Sequence, residues 1–155
     1  LLRHFLEYLS SELCDRLSAP VPFRADGHYD LGSLLPPAQS QFRKILKNAK
    51  NVAVGWKDKA VEVAISVSES SFSHLVEKTS LEQWQVNKAV HYNEWANMVA
   101  QDFRPVVTAY KNLITGFACK DCNSFLRLSP NGIAPESRRC SCGKINYNLT
   151  KKGNS

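Results

Sequence analysis

Apolar residues recur every three or four positions along most of this chain, which is the spacing of amphipathic helices. The first run, residues 2–17, predicts a helix that ends before two closely spaced prolines, Pro20 and Pro22. Residues 20–33 are rich in turn-forming residues and predict a loop. Leu1 and Leu2 already belong to the helical pattern with no capping residue before them, so we expect the native chain to extend further upstream.

A second helix is predicted to begin near Pro36 and Pro37. Its apolar face comprises Ala38, Phe42, Ile45, Leu46, Ala49, Val52 and Ala53. Its opposite side is basic, with Arg43, Lys44, Lys47 and Lys50. Two interpretations of these charges are open, because a solvated helix face and a nucleic-acid footprint have the same pattern.

Residues 56–79 fit two patterns. Residues 61–67 alternate between apolar and polar positions as a strand would, whereas the apolar positions of the longer stretch fit a helix. The length of the stretch favours the helix. Ser80 followed by Gln83 matches a capping box, which predicts a new short helix that begins at Leu81.

The last predicted helix has Asp102 as its N-cap, Pro105 in its first turn and Gly116 at its end. It carries the clearest apolar stripe of the chain: Phe103, Val106, Val107, Tyr110, Leu113, Ile114 and Phe117. The predicted fold class is therefore mainly α, a helical bundle over residues 1–116 followed by a small β-rich unit over residues 117–155. That second unit is called the C-terminal module below.

Four of the five cysteines fall in one short window of the C-terminal module. Cys119 and Cys122 are separated by two residues, and Cys140 and Cys142 by one. Each pair can supply two ligands from one tight turn, which Gly143 helps to form, and four thiolates are the donor set of a closed structural zinc site. The sequence predicts one structural Zn²⁺ held by all four. The alternative, two disulfides in a secreted protein, is disfavoured by the odd cysteine count and the absence of a signal-peptide pattern.

The fifth cysteine, Cys14, lies at the flank of the first apolar run. We expect a buried structural thiol there. A catalytic nucleophile would need a basic neighbour, which the local sequence does not supply.

The composition is that of a soluble globular protein, with 43% hydrophobic and 22% charged residues among 155. No apolar run reaches the roughly 18–20 residues of a membrane span, so a cytoplasmic protein without membrane association is predicted. Phosphate-binding glycine loops, dinucleotide fingerprints and Ser/His/Asp spacings are absent from the sequence. This chain by itself is therefore neither a nucleotide hydrolase nor a triad enzyme.

The formal net charge of +6 is concentrated near the C-terminus, where residues 117–155 carry seven basic and two acidic groups. Basic side chains contact phosphates and aromatic rings stack on bases, so the C-terminal module is a predicted nucleic-acid interface. Solubility alone is the competing explanation. The candidate contact residues are Arg127, Arg138, Arg139, Lys144, Lys151 and Lys152, with Phe125 and Tyr147 as aromatic neighbours.

The spacing of Asn87 and His91 near a predicted helix junction resembles the HEPN superfamily, small helical bundles common in prokaryotic defence systems. With residues 29–35 (Tyr-Asp-Leu-Gly-Ser-Leu-Leu) and the paired cysteines, the chain also looks like the C-terminal appendage of RecF/SMC-like ATPases, which ends in a zinc ribbon. The resemblance implies an HEPN-like bundle, an ATPase region N-terminal in the same polypeptide, DNA or RNA as a partner, and a role in antiviral defence. It is compatible with a homodimer.

Active HEPN members cleave RNA without a metal and pair an Arg with a His four to six residues later. Positions 85–87 read Gln-Val-Asn, and a glutamine cannot replace the cationic fork that would bind a scissile phosphate. The resemblance therefore implies a non-catalytic accessory domain. The alternative is a degenerate RNase toxin in which His91 is the candidate catalytic residue. For His91 itself we predict a buried imidazole that is hydrogen-bonded between the neighbourhoods of Trp84 and Trp95.

Overall fold

The computed structural model describes residues 2–91, 99–128 and 137–150. This part of the chain forms four helices, α1 (Leu2–Leu17), α2 (Leu31–Gly55), α3 (Lys59–His91) and α4 (Ala100–Gly116). Three short strands follow: β1 (Arg127–Leu128), β2 (Ser137–Arg139) and β3 (Asn146–Asn148). The prediction of a mainly α chain is confirmed, and a small sheet lies near its C-terminus. Among the described helices, none is both long and apolar enough to cross a lipid bilayer.

Successive helices pack on one another, α1 on α2, α2 on α3 and α3 on α4. The predicted apolar face of α2 is buried throughout. Three phenylalanine rings meet at the centre: Phe42 of α2, Phe72 of α3 and Phe117 directly after α4. The ring centroid of Phe42 lies 4.7 Å from that of Phe72 and 5.1 Å from that of Phe117, and the centroids of Phe72 and Phe117 are 4.8 Å apart, all in tilted or edge-on pairs. The same hydrophobic cluster continues into the C-terminal module through Cys119, Leu126 and Cys140.

α2 begins earlier than the sequence predicts. Its N-cap is Asp30, whose carboxylate accepts hydrogen bonds from the amide and the hydroxyl of Ser33 at 2.8 and 2.7 Å. Because aspartate is among the best N-cap residues, the helix starts at once and continues through Pro36 and Pro37. Residues 31–33 therefore belong to the helix rather than to the predicted loop.

α3 is one continuous helix of 33 residues. The helical interpretation of residues 56–79 is confirmed from Lys59 onward, whereas the prediction of a new helix at Leu81 is wrong. The hydroxyls of Thr79 and Ser80 donate to carbonyls four residues earlier, at 2.8 and 3.0 Å. Ser80 is thus an interior helix position whose side chain bonds backward instead of capping.

α4 has Val99 at its N-cap position. Asp102 is therefore not the N-cap but the third helical residue, and its carboxylate accepts a hydrogen bond from the Val99 amide at 2.7 Å. Pro105 consequently lies in the second turn, not the first. The helix ends at Gly116 as predicted, and a Cβ at that position would lie 2.8 Å from Cδ1 of Leu75. Glycine thus permits the close approach of α3.

The apolar stripe of α4 is buried on one side only. Val106, Tyr110, Leu113 and Phe117 lie in the core, whereas Phe103 and Val107 remain 37% and 40% exposed. The reason is that α4 packs on α3, while an apolar groove of about 390 Å³ separates it from α1. That groove is lined by Phe5, Leu9, Val107, Ile114 and other side chains.

The three strands form an antiparallel sheet with β2 in the centre. Cross-strand partners share a face of a sheet, so the register separates its residues into two sets. One face carries Arg127, Arg139 and Asn146, and the other carries Arg138 and Tyr147.

Candidate metal centre

The four cysteines of the C-terminal module lie in two tight turns. The first knuckle, residues 119–124, connects α4 to β1, and the second knuckle, residues 140–145, connects β2 to β3. In each, the amide of the leading cysteine donates to the carbonyl five residues later: Cys119 to Ser124 at 3.0 Å, and Cys140 to Ile145 at 3.1 Å. The two turns therefore share one hydrogen-bonding pattern although their cysteine spacings differ.

The residue directly after the second cysteine of each knuckle has a positive φ. Asn123 has φ 55° and Gly143 has φ 77°. Glycine enters this region freely, and asparagine enters it at a lower cost than other residues with a side chain. Sequence reasoning singles out Gly143 but misses Asn123, although the tolerance of asparagine for this conformation was the available signal.

The sulfur atoms form one compact group. All four Sγ atoms lie within 4.8 Å of one another, with Cys119 to Cys142 at 3.9 Å and Cys140 to Cys142 at 3.5 Å. A tetrahedral ion with metal–sulfur bonds of about 2.3 Å holds its sulfurs about 3.8 Å apart. A disulfide requires about 2.05 Å, and all five cysteines are free thiols. The predicted grouping is confirmed, and its spacing suits a four-coordinate metal ion.

The pKa values of Cys122 and Cys142 differ widely because their surroundings differ. The Ser124 hydroxyl, together with the Ser124 amide, lowers the pKa of Cys122 to about 5. At Cys142 the Lys144 amide favours the thiolate, but the neighbouring sulfurs and desolvation outweigh it and raise the pKa to about 12. Four thiolates this close cannot all ionise against their mutual repulsion unless a positive ion lies among them.

Ser124 links the two knuckles, a role that sequence reasoning misses. Its Oγ accepts a hydrogen bond from the Ser141 amide at 2.8 Å and lies 3.1 Å from Sγ of Cys122. On the outer surface, Nζ of Lys144 donates to the Asp121 carboxylate at 2.7 Å, again from one knuckle to the other. These contacts hold the turns in a fixed relation around the sulfurs.

The predicted nucleic-acid residues that the structure describes do not all lie on one exposed surface. Arg127 and Arg139 are exposed and lie opposite each other on the outer face of the sheet, and Nε of Arg139 also donates to the Asn146 side chain at 3.0 Å. Lys144 is exposed but engaged with Asp121. Lys151 and Lys152 lie outside the described residues.

The prediction that Arg138 contacts nucleic acid needs correction. Only 3% of the surface of Arg138 is exposed. Successive residues of a strand point to opposite faces, so Arg138 faces the helices while Arg139 faces solvent. Its Nη1 donates to the Arg16 carbonyl near the end of α1 at 2.9 Å. It therefore supports the helix C-terminus and is not available to a phosphate.

The two aromatic neighbours, Phe125 and Tyr147, lie against different helices. The side chain of Tyr147 packs against α3, where burial raises its pKa and the Ser68 hydroxyl partly opposes the shift. Phe125 lines the apolar groove between α1 and α4. Within the described part of the C-terminal module, the two rings therefore do not form one shared stacking platform.

The remaining candidates are Cys14 and His91. Cys14 is buried, and its Sγ donates to the Leu34 carbonyl at 3.1 Å, which confirms the expected structural thiol. Burial raises its pKa and disfavours the reactive thiolate. The predictions for the side chains of His91, Trp84 and Trp95 fall outside what the structure describes.

Comparison of the chain with protein-family models, with curated proteins and with solved structures finds no match. The metal centre therefore stands on its geometry and donor chemistry.

Proposed function

We propose that the C-terminal module is a structural zinc ribbon and that the chain is a non-catalytic accessory module that contacts nucleic acid. The observation that carries this proposal is the group of four cysteine sulfurs within 4.8 Å of one another. Thiolates are soft ligands that suit Zn²⁺, and a site with four protein ligands leaves no open position for substrate or water. The metal would thus act on stability alone.

Metal analysis of protein purified under reducing conditions tests the zinc assignment. We expect one zinc per chain in the native protein and a loss of zinc in Cys119→Ser. Cys14→Ser is the matched control, because its buried hydroxyl can still donate to the Leu34 carbonyl and it lies outside the cluster. Native protein that is folded, reduced and free of zinc would contradict the proposal.

The nucleic-acid assignment is supported by the net charge of +6 and by the exposed pair Arg127 and Arg139. By resemblance, the full polypeptide would carry an ATPase region of the RecF/SMC-like type before this module and act in prokaryotic defence. The accessory module would then position nucleic acid for that region.

A binding titration with a labelled single-stranded RNA tests this assignment. Binding that weakens as salt rises is expected, because neutralised phosphates release counterions. The RNA should be recovered intact. Cleavage by the native protein that disappears in His91→Ala would overturn the non-catalytic assignment in favour of the RNase.

A further inference from the structure

A group of three exposed cations, Arg43, Lys44 and Lys47, lies on α2. Arg43, Lys44 and Lys47 are all exposed and, in the part of the chain that the structure describes, form no ion pair. In contrast, Arg138 is buried and Lys144 is bound to Asp121. Three exposed cations without an ion pair thus lie together on one side of α2.

These three cations border a cleft of about 420 Å³ between α2 and α3, called the α2–α3 cleft. Its wall also supplies neutral hydrogen-bonding groups, the amide of Gln39 and the hydroxyls of Ser40 and Ser73. One acidic group is present, Glu69, and Lys50 lies 3.5 Å from its carboxylate. The cleft thus combines uncompensated cations with hydroxyl and amide donors around one concave space.

We infer that the α2–α3 cleft binds the phosphodiester backbone of a nucleic acid. This inference rests on the proposed nucleic-acid function and assigns its principal contact to α2. Arg43 and Lys47 are one helical turn apart, so their Cβ atoms are about 6 Å from each other and can serve neighbouring phosphates. Arginine, lysine, serine and glutamine are all side chains that contact the phosphates of nucleic acids.

The close spacing of the three cations on α2 favours the binding of an anion. Like charges four residues apart repel each other on a helix, and Lys44 adds a third charge beside the pair. A bound polyanion would offset that repulsion. The C-terminal module adjoins this region, since Nδ2 of Asn48, one turn beyond Lys44, donates to the Leu149 carbonyl at 3.1 Å. The C-terminal module therefore contacts the helix that carries the cleft.

The test compares three variants with the native protein in fluorescence-anisotropy titrations of a labelled single-stranded oligonucleotide, at about 50 and about 200 mM salt. The first variant is Arg43→Gln/Lys44→Gln/Lys47→Gln. The control, Lys78→Gln/Arg104→Gln/Lys111→Gln, removes the same charge from exposed positions elsewhere on α3 and α4. The third, Arg127→Gln/Arg139→Gln, removes the exposed pair of the sheet.

We expect the α2 variant to bind at least about tenfold more weakly at the lower salt concentration. Its slope of log affinity against log salt should flatten by about 2, since each phosphate contact on a single strand contributes about −0.7. The control variant should stay close to the native protein. Circular dichroism should show the same helix content in all variants, because every substituted residue is exposed.

Two outcomes overturn the inference while the proposed function stands. One is loss of binding in Arg127→Gln/Arg139→Gln with native affinity in the α2 variant. The other is an equal loss in the α2 and control variants, which indicates unspecific attraction. Absence of oligonucleotide binding by the native protein overturns both proposals.

Titrations with inorganic phosphate and with polyglutamate complete the test. Polyglutamate binding that exceeds oligonucleotide binding and is lost in the α2 variant assigns the cleft to an acidic protein, and binding of inorganic phosphate alone assigns it to a small anion.

Discussion

Arg138 joins the C-terminal module to the end of α1 by a hydrogen bond from its Nη1 to the Arg16 carbonyl. The last carbonyls of a helix have no partner within the helix, and they lie at the negative end of its dipole. The guanidinium of Arg138 donates a hydrogen bond to one of these carbonyls and places a positive charge near the negative end of the dipole. Arg139, one residue further, is exposed and belongs to the opposite face of the sheet.

We predict that Arg138→Gln lowers the free energy of unfolding by about 1.5–3 kcal/mol, because it removes a charged donor from a buried carbonyl contact. Arg139→Gln is the adjacent control and should change it by no more than about 0.5 kcal/mol. Urea unfolding followed by circular dichroism measures both. Equal effects of the two substitutions would show that Arg138 has no special structural role.

The sequence alone could not distinguish these arginines, because a shift of one residue in the strand register exchanges the inward and outward faces.

The ends of the helices depend on side chains that bond to the backbone. Asp30 and Ser80 both match the pattern of a helix start, but only Asp30 occupies one. The apolar periodicity predicted α1, α2 and α4, and together with the length of the stretch it predicted α3, since burial of one face selects that spacing. It could not place every helix end, because a capping residue and an interior serine look alike until the path of the chain is known.

At the scale of the element, we predict that Asp30→Ala lowers the free energy of unfolding by about 1 kcal/mol, the usual cost of losing an N-cap. Ser80→Ala should be neutral or slightly stabilising, since Ser80 is exposed in a helix interior, where alanine is the better helix former. Thermal and urea unfolding of the two variants give the comparison. A larger loss from Ser80→Ala than from Asp30→Ala would show that the assigned helix boundaries are wrong.

The described part of the molecule is organised around one hydrophobic cluster that includes residues of the helices as well as Cys119 and Cys140. The predicted division at residues 116 and 117 matches the end of α4, but Phe117 packs on Phe42 and Phe72 and lies two residues before Cys119. Cysteine spacing predicted the group of four thiols because each pair is local in sequence. The shared core depends on contacts between distant segments, which no local pattern encodes.

This shared core predicts that the helical bundle and the metal centre are energetically coupled. Phe117→Ala should lower the free energy of unfolding by about 3–5 kcal/mol, since it deletes the ring at the junction of three helices. It should also accelerate zinc transfer to a chromophoric chelator, because Cys119 follows directly from the loosened segment. Phe103→Ala, at a partly exposed position near the other end of α4, should leave the rate of zinc transfer unchanged.

If Phe117→Ala destabilises the helices while zinc is released at the native rate, the bundle and the C-terminal module are independent units. If the rate rises as expected, metal binding contributes to the stability of the whole chain, and the melting temperature should increase with free zinc concentration because the ion binds only the folded site.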